Sequence, residues 1–196
     1  MIAVVDYRAG NVTSVKRAVE HLGHECIVTA DPALIERAER VIVPGVGHFS
    51  ATTAFSSTDL GVALARQIDR GTCVLGICLG MHWLFEASDE ALGLSGLGAL
   101  AGRCRPLPAA VKSPHVGWDQ LEIGGVSRLL DGLSPGAFVY FTHGYCAPLV
   151  PETIASCSYG RPHSAAIERG NLFGVQFHPE KSGDVGLAIL QNFCTC

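Results

Sequence analysis

The sequence predicts an α/β fold of three layers, a largely parallel central sheet flanked by helices, with antiparallel strands added in the C-terminal half. Three observations carry this. Short apolar runs alternate with segments of helical periodicity through the first half. β-rich runs with short connections crowd the second. Two glycine-flanked junctions, Pro44-Gly45-Val46-Gly47 and Gly76-Ile77-Cys78-Leu79-Gly80, stand where an apolar run ends, as at the carboxyl edge of a parallel sheet.

The elements follow in order. Ile2–Asp6 is an apolar run closed by an acid, hence a strand. Val12, Val15, Val19 and Leu22 recur at helical spacing behind Asn11, the expected N-cap. Glu25–Thr29 is β-like, and Asp31-Pro32 opens a short helix by cap and first-turn proline. Arg40–Val43 is a strand closed by the first glycine junction. Leu60, Leu64 and Ile68 mark a helix, Cys73–Ile77 a buried strand, and Leu79 to Ala87 a helix directly after it. Arg103–Val111 is interrupted by Pro106 and Pro108. β-rich stretches follow near Leu121–Ile123, Ala137–Thr142, Thr153–Tyr159, Ala165–Glu168 and Leu172–Phe177, their short links implying hairpins. A last helix, about Val185–Phe193, returns to the sheet. With no repeat, low-complexity tract or linker, 1–196 reads as a single domain.

Composition narrows the function. A chain of 196 residues, 48% apolar and 16% charged, supports a full core and is not disordered. No run approaches the ~20 apolar residues of a membrane span. Fourteen basic against eighteen acidic residues, with no basic block, argue against nucleic acid. An average soluble domain carries about 25% charged residues, so a surface this poor in charge suggests that another protein covers part of it. Eight cysteines lack zinc-type spacing, so no metal is expected. The first residues lack the form of a signal peptide, which points to a reducing, cytoplasmic compartment with mostly structural cysteines.

One cysteine stands apart. Cys78 lies where an apolar strand turns into a helix, between Gly76 and Gly80, in the layout of a nucleophile elbow. The helix N-terminus favours a thiolate, and the Leu79 N–H is placed for a developing oxyanion. A thiol nucleophile needs a base, and the base an orienting group. Phe177-His178-Pro179-Glu180 supplies both: Pro179 holds His178 extended, and residues two apart on extended chain face the same way. Cys78, His178 and Glu180 therefore read as a catalytic triad. The Gly45–Val46 peptide, between glycines at the same sheet edge, is a candidate second oxyanion donor.

Gly-x-Cys-x-Gly, the upstream Pro-Gly-x-Gly loop and the downstream His-Pro-Glu resemble the triad-type, class I glutamine amidotransferases. Asp6-Tyr7, Gly10-Asn11, Gly117-Trp118-Asp119, Tyr140–Tyr145 and Lys181-Ser182-Gly183 narrow the resemblance to the glutaminase subunits of histidine biosynthesis, over nearly the whole chain. The resemblance implies hydrolysis of glutamine to glutamate and ammonia through a thioester on Cys78, without a cofactor. It implies a heterodimer with a (β/α)₈-barrel cyclase that uses the ammonia to make imidazole glycerol phosphate and AICAR. It places Gly45, Val46 and Leu79 at the oxyanion and Gly47, His82, Glu90, Gly144 and Tyr145 around glutamine. Asn11, Trp118 and Lys181 are the expected partner contacts.

Three positions depart from the family pattern. His82 replaces a glutamine that helps bind substrate, so glutamine binding is expected to become pH-dependent. Arg8 stands where Asp-Tyr-Gly is usual, and Asp119 where Gly-Trp-Asn is usual. Glutaminases serving pyridoxal phosphate or anthranilate synthesis share the triad, but Lys181-Ser182-Gly183 and Trp118 speak against them. A non-catalytic regulatory protein of this fold is the alternative from another class, and the complete triad speaks against it.

Overall fold

The structure, a computed structural model, describes residues 1–56 and 58–196. The first half runs β1 (Ile2–Val5), α1 (Val12–His21), β2 (Cys26–Thr29), α2 (Pro32–Arg37), β3 (Arg40–Val43), α3 (Asp59–Asp69), β4 (Cys73–Ile77) and α4 (Leu79–Leu84). Next come β5 (Phe85–Ser88), β6 (Leu100–Pro106), β7 (His115–Gln120), β8 (Glu122–Ile123), β9 (Phe138–His143) and β10 (Tyr145–Cys146). β11 (Thr153–Ser158), β12 (Pro162–Arg169), β13 (Leu172–Val175) and α5 (Gly183–Thr195) complete it. The main sheet has the order β2-β1-β3-β4-β13-β12-β11-β8. Its β2-to-β13 part is parallel, and β12, β11 and β8 are antiparallel additions, as expected. Smaller sheets, β10-β6-β5 and β7-β9, sit beside it.

The central strands are continuous apolar runs because both of their faces are covered. Alternate side chains go to opposite faces. Val4, Ile42, Leu75 and Phe173 meet Val15 and Val19 of α1 and Ile189, Leu190 and Phe193 of α5. Val5, Val41, Val43 and Val74 meet Ile35 of α2, Leu64 of α3 and Met81 and Leu84 of α4. This leaves the carboxyl ends of β1, β3 and β4 open along one edge.

Several expectations need correction. Asn11 occupies the N-cap position of α1 but caps nothing with its side chain; it reaches Glu180 instead, Nδ2 to Oε1, at 3.4 Å. By contrast Asp31 caps α2, accepting from the Ala33 N–H at 2.9 Å. The helix after Cys78 ends at Leu84, not Ala87, because Phe85–Ser88 pairs in parallel with β6. The returning chain donates from Leu97 N–H to the Trp83 carbonyl at 2.6 Å, ending the helix. The strand before His178 stops at Val175, two residues before the expected Phe177. Strands β6 and β7 and the 3₁₀ segment Phe49–Phe55 were not expected.

Candidate active site

Cys78 takes φ 52° and ψ −103° between β4 and α4, a left-handed conformation rare for a residue with a side chain. Such backbone costs about 1–3 kcal/mol and persists only where its surroundings impose it. They do so here. The Cys78 N–H donates to the Val175 carbonyl at 2.7 Å, and the Cys78 carbonyl accepts from the His82 N–H at 3.0 Å. A Cβ on Gly76 would stand 2.6 Å from the Gly80 carbonyl carbon, and one on Gly80 would run into the Val43 carbonyl. The two glycines let strand and helix cross, and Cys78 is lifted to the sheet edge.

The parallel strand next to β4 delivers the base. Beyond β13 the His178 N–H donates to the Tyr140 carbonyl at 2.9 Å. The Ser182 hydroxyl donates to the His178 carbonyl at 2.7 Å and accepts from the Tyr140 N–H at 3.0 Å. Glu180, in the short turn Pro179–Lys181, puts Oε1 2.9 Å from His178 Nδ1, both side chains being 1% exposed. Burial works against a charged imidazole, but Cys78 and Glu180 beside it raise His178 to about 9. The ring is thus kept as a proton donor beside the thiol, and its Nε2 has no other partner among the described residues.

Cys78 opens into a cavity of about 240 Å³. Gly47, Leu79, His82, Glu90, Gly144 and Tyr145 all line it, with Pro114, Thr142 and His143, which sequence reasoning missed. Larger cavities, about 590 and 430 Å³, lie beside Arg169 and Arg161 and contain none of the triad. Gln176 was missed too, although a lone amide inside the apolar run Leu172–Phe177 is a signal. It is buried, and its Nε2 donates to Cys78 Sγ at 3.7 Å. Glu90 holds the loop above the cavity, its carboxylate accepting from the Phe49 N–H at 2.8 Å.

The oxyanion donors are not both free. The Leu79 N–H, 3.4 Å from the Gly45 carbonyl, is occupied by the very peptide expected to supply the second donor. With that carbonyl turned in, the Val46 N–H at the other end of the peptide is turned out. Gly45 is tightly packed, since a Cβ there would stand 2.6 Å from the Leu79 Cβ. Gly47, at φ 97°, is the residue beside Val46 that accepts unusual backbone.

Residues 3–195 match the family model described as glutamine amidotransferase class-I. The chain belongs to this family. Imidazole glycerol phosphate synthase subunit HisH of Bacillus cereus (strain G9842) is 46% identical over 195 residues, covering 98% of this chain and 93% of the relative. The HisH subunit of Bacillus mycoides is 43% identical with the same coverage. Among solved structures, a glutamine amidotransferase superimposes with a TM-score of 0.77 at 18% identity, covering 99% of this chain and 100% of that one. PurLQS from Thermotoga maritima gives 0.78 at 20% identity, covering 99% and 97%. The last two share the fold.

Against the pattern of the class I amidotransferases, the three departures acquire geometry. His82 is buried, and its Nε2–H donates to Gln176 Oε1 at 2.7 Å. Burial drives it down to about 4, against the support of that hydrogen bond. The expected titration of His82 near neutrality is therefore incorrect: the ring is a neutral strut behind Gln176. Arg8 takes φ 64° where the family's glycine would be unstrained, and its N–H donates to Asp6 Oδ1 at 3.0 Å. Asp119 lies 3.4 Å from His115. Of the expected partner contacts, Trp118 is 55% exposed, edge-on to Tyr140, and Lys181 Nζ lies 5.9 Å from the same ring. Trp118 is not a core residue. Asn11 sits against the triad carboxylate.

Proposed function

We propose that the chain acts as a single domain, 1–196, and hydrolyses glutamine with Cys78 as nucleophile, in the service of imidazole glycerol phosphate synthesis for histidine. The observation that carries the reading is the strained Cys78 elbow facing a buried His178–Glu180 pair. The thiolate attacks the side-chain amide carbon, and the tetrahedral oxyanion rests on the Leu79 N–H and a reoriented Gly45–Val46 peptide. His178 gives its proton to the leaving nitrogen, so that ammonia departs and a glutamyl thioester remains. His178 then takes a proton from water, whose oxygen attacks the thioester, releasing glutamate and the thiol. Glu180 holds the ring with Nε2 towards the reaction throughout. Gly47, Glu90, Gly144 and Tyr145 bind glutamine, with His82 behind them.

The ammonia passes to a (β/α)₈-barrel cyclase in a cytoplasmic heterodimer. The names of the close relatives, each a synthase subunit, support this. So does an apolar face on the β7–β9 ribbon, where Val116, Trp118 and Phe138 are all exposed. The test is Cys78→Ala: glutamine-dependent turnover of the complex should vanish while turnover with added ammonium salt persists. Glutaminase activity in that variant would refute the triad.

A further inference from the structure

The Gly144–Tyr145 wall of the cavity is held by side chains that the chemistry above leaves unused. His143 on β9 has its Nδ1 2.9 Å from the Tyr145 carbonyl. Its Nε2 lies 3.3 Å from Nδ1 of His115, the residue directly opposite on β7. Nε2 of His115 in turn stands 3.4 Å from Asp119 Oδ2, whose side chain is 34% exposed. A continuous chain thus runs from solvent, through two buried rings, to the cavity wall. Among the described residues no histidine or cysteine cluster is arranged to hold a metal ion.

Proton counting makes this chain unusual. A carbonyl only accepts, so the Tyr145 hydrogen bond needs a ring N–H, and the Asp119 carboxylate, at ion-pair distance, needs a proton on the ring nitrogen that faces it. The contact between the rings needs one more. That is three protons, and two neutral imidazoles carry two. With the Tyr145 and inter-ring bonds made, Asp119 faces a bare lone pair on His115. A third proton on His115 Nε2 completes all three contacts. An asparagine at 119 would donate its amide N–H to that lone pair and need no third proton, so the family's usual residue gives a relay without titration.

The surroundings set where the proton enters. His115 stacks between Tyr159, at 3.9 Å, and Phe141, at 4.9 Å. Burial lowers His115 and the Asp119 carboxylate raises it. Burial lowers His143 further, with His163 at 5.4 Å and His82 of α4 adding to the effect. His163 of β12 is itself neutralised by burial, with Arg161 nearby, and the Cys157 thiol of β11 faces Asp119. Of these four rings, His115, His143, His163 and His82, only His115 has a carboxylate at ion-pair distance among the described residues, so it takes the proton on the acid side of neutrality.

Building on the glutaminase reading, we propose that His115, His143 and Asp119 are positioning residues of the glutamine site. A third proton on the histidine pair closes the relay that fixes the Tyr145 carbonyl and thereby the substrate wall. Imidazole ¹⁵N spectra of the full chain from about pH 5 to about pH 8, with glutamine titrations of the Cys78→Ala protein, test this. The two rings should gain one proton between them, with His143 Nδ1 protonated throughout. Asp119→Asn should move the midpoint down by about one unit or more. Glutamine affinity should fall at least about threefold as pH rises through the midpoint, and Asp119→Asn should make it independent of pH there. No proton uptake, or uptake indifferent to Asp119→Asn, overturns the relay. Uptake without any pH dependence of glutamine affinity overturns the positioning role. Normal uptake in a protein that binds no glutamine at any pH overturns the assigned substrate and the positioning role with it.

Discussion

Of the eight cysteines, one is held at positive φ beside a buried ion-pairing imidazole, and its neighbours are ordinary by comparison. Cys73, buried in the core on β4, stands beside Cys196, Sγ to Sγ at 3.4 Å. Cys73→Ala should therefore cost about 1 kcal/mol or less in stability, read by denaturant titration, and leave activity intact. His82 gives a sharper test. Since the ring is already neutral well above its pKa of about 4, His82→Gln should leave the pH profile between about 6 and 7.5 unchanged. A glutamine side chain can keep the hydrogen bond to Gln176, so KM for glutamine should also hold within about twofold. A flattened profile would show that the imidazole titrates in the working range after all. The sequence shows a histidine where an amide is usual; its burial, which decides its charge, depends on β13 packing across α4 and cannot be read locally.

At the scale of elements, legibility tracks how local the cause is. The elbow was readable because Gly76, Cys78 and Gly80 enforce it within five residues. Glu180 was legible as the partner of His178 from their closeness in sequence, but the 3₁₀ turn Pro179–Lys181, not the extended chain expected there, brings its carboxylate to Nδ1. Strands β6 and β7 were not readable, since prolines and glycines interrupt their pattern and neither pairs by a tight hairpin: β6 lies parallel to β5 and beside the distant β10, and β7 pairs with β9 across the intervening β8. The direction of the Gly45 carbonyl was not readable either, because a glycine-flanked peptide has two accessible orientations. That direction predicts low activity at rest. One missing oxyanion donor costs about 10²–10³ in rate. The isolated chain should hydrolyse glutamine slowly, and the proposed cyclase partner should raise kcat at least about a hundredfold. Equal turnover by the isolated chain and the complex would remove the flipped peptide as the cause.

The whole molecule carries a net charge of −4, but its buried imidazoles dominate its response to acid. His82 and His163 are both driven to about 4 by burial. Unfolded imidazoles titrate near 6.5, so below that pH the unfolded state binds more protons than the native one. Their contribution is complete above about pH 6.5 and is lost as pH falls towards 4, by roughly 3 kcal/mol for each ring. His178 has the opposite sign: raised to about 9, it stabilises the fold fully below about 6.5 and ceases to as pH rises through 9. Stability by chemical denaturation should thus decline on both sides of neutrality, and His82→Gln should shallow the acid limb alone. An acid limb identical in the variant would place the titration elsewhere. The same whole-molecule view bears on the partner. The two-stranded β7–β9 ribbon turns Phe141, His115 and His143 inward and Val116, Trp118 and Phe138 outward. An aromatic residue held half in solvent, edge-on to Tyr140 and beside Lys181, is a typical interface anchor, worth about 2 kcal/mol or more when truncated. Trp118→Ala should therefore weaken the complex with the cyclase by about thirtyfold, measured by titration calorimetry, while the unfolding midpoint of the isolated chain stays within about two degrees. Trp118 belongs to neither buried apolar cluster of the described residues, so a large drop in that midpoint, or an unchanged affinity, would take it out of the interface.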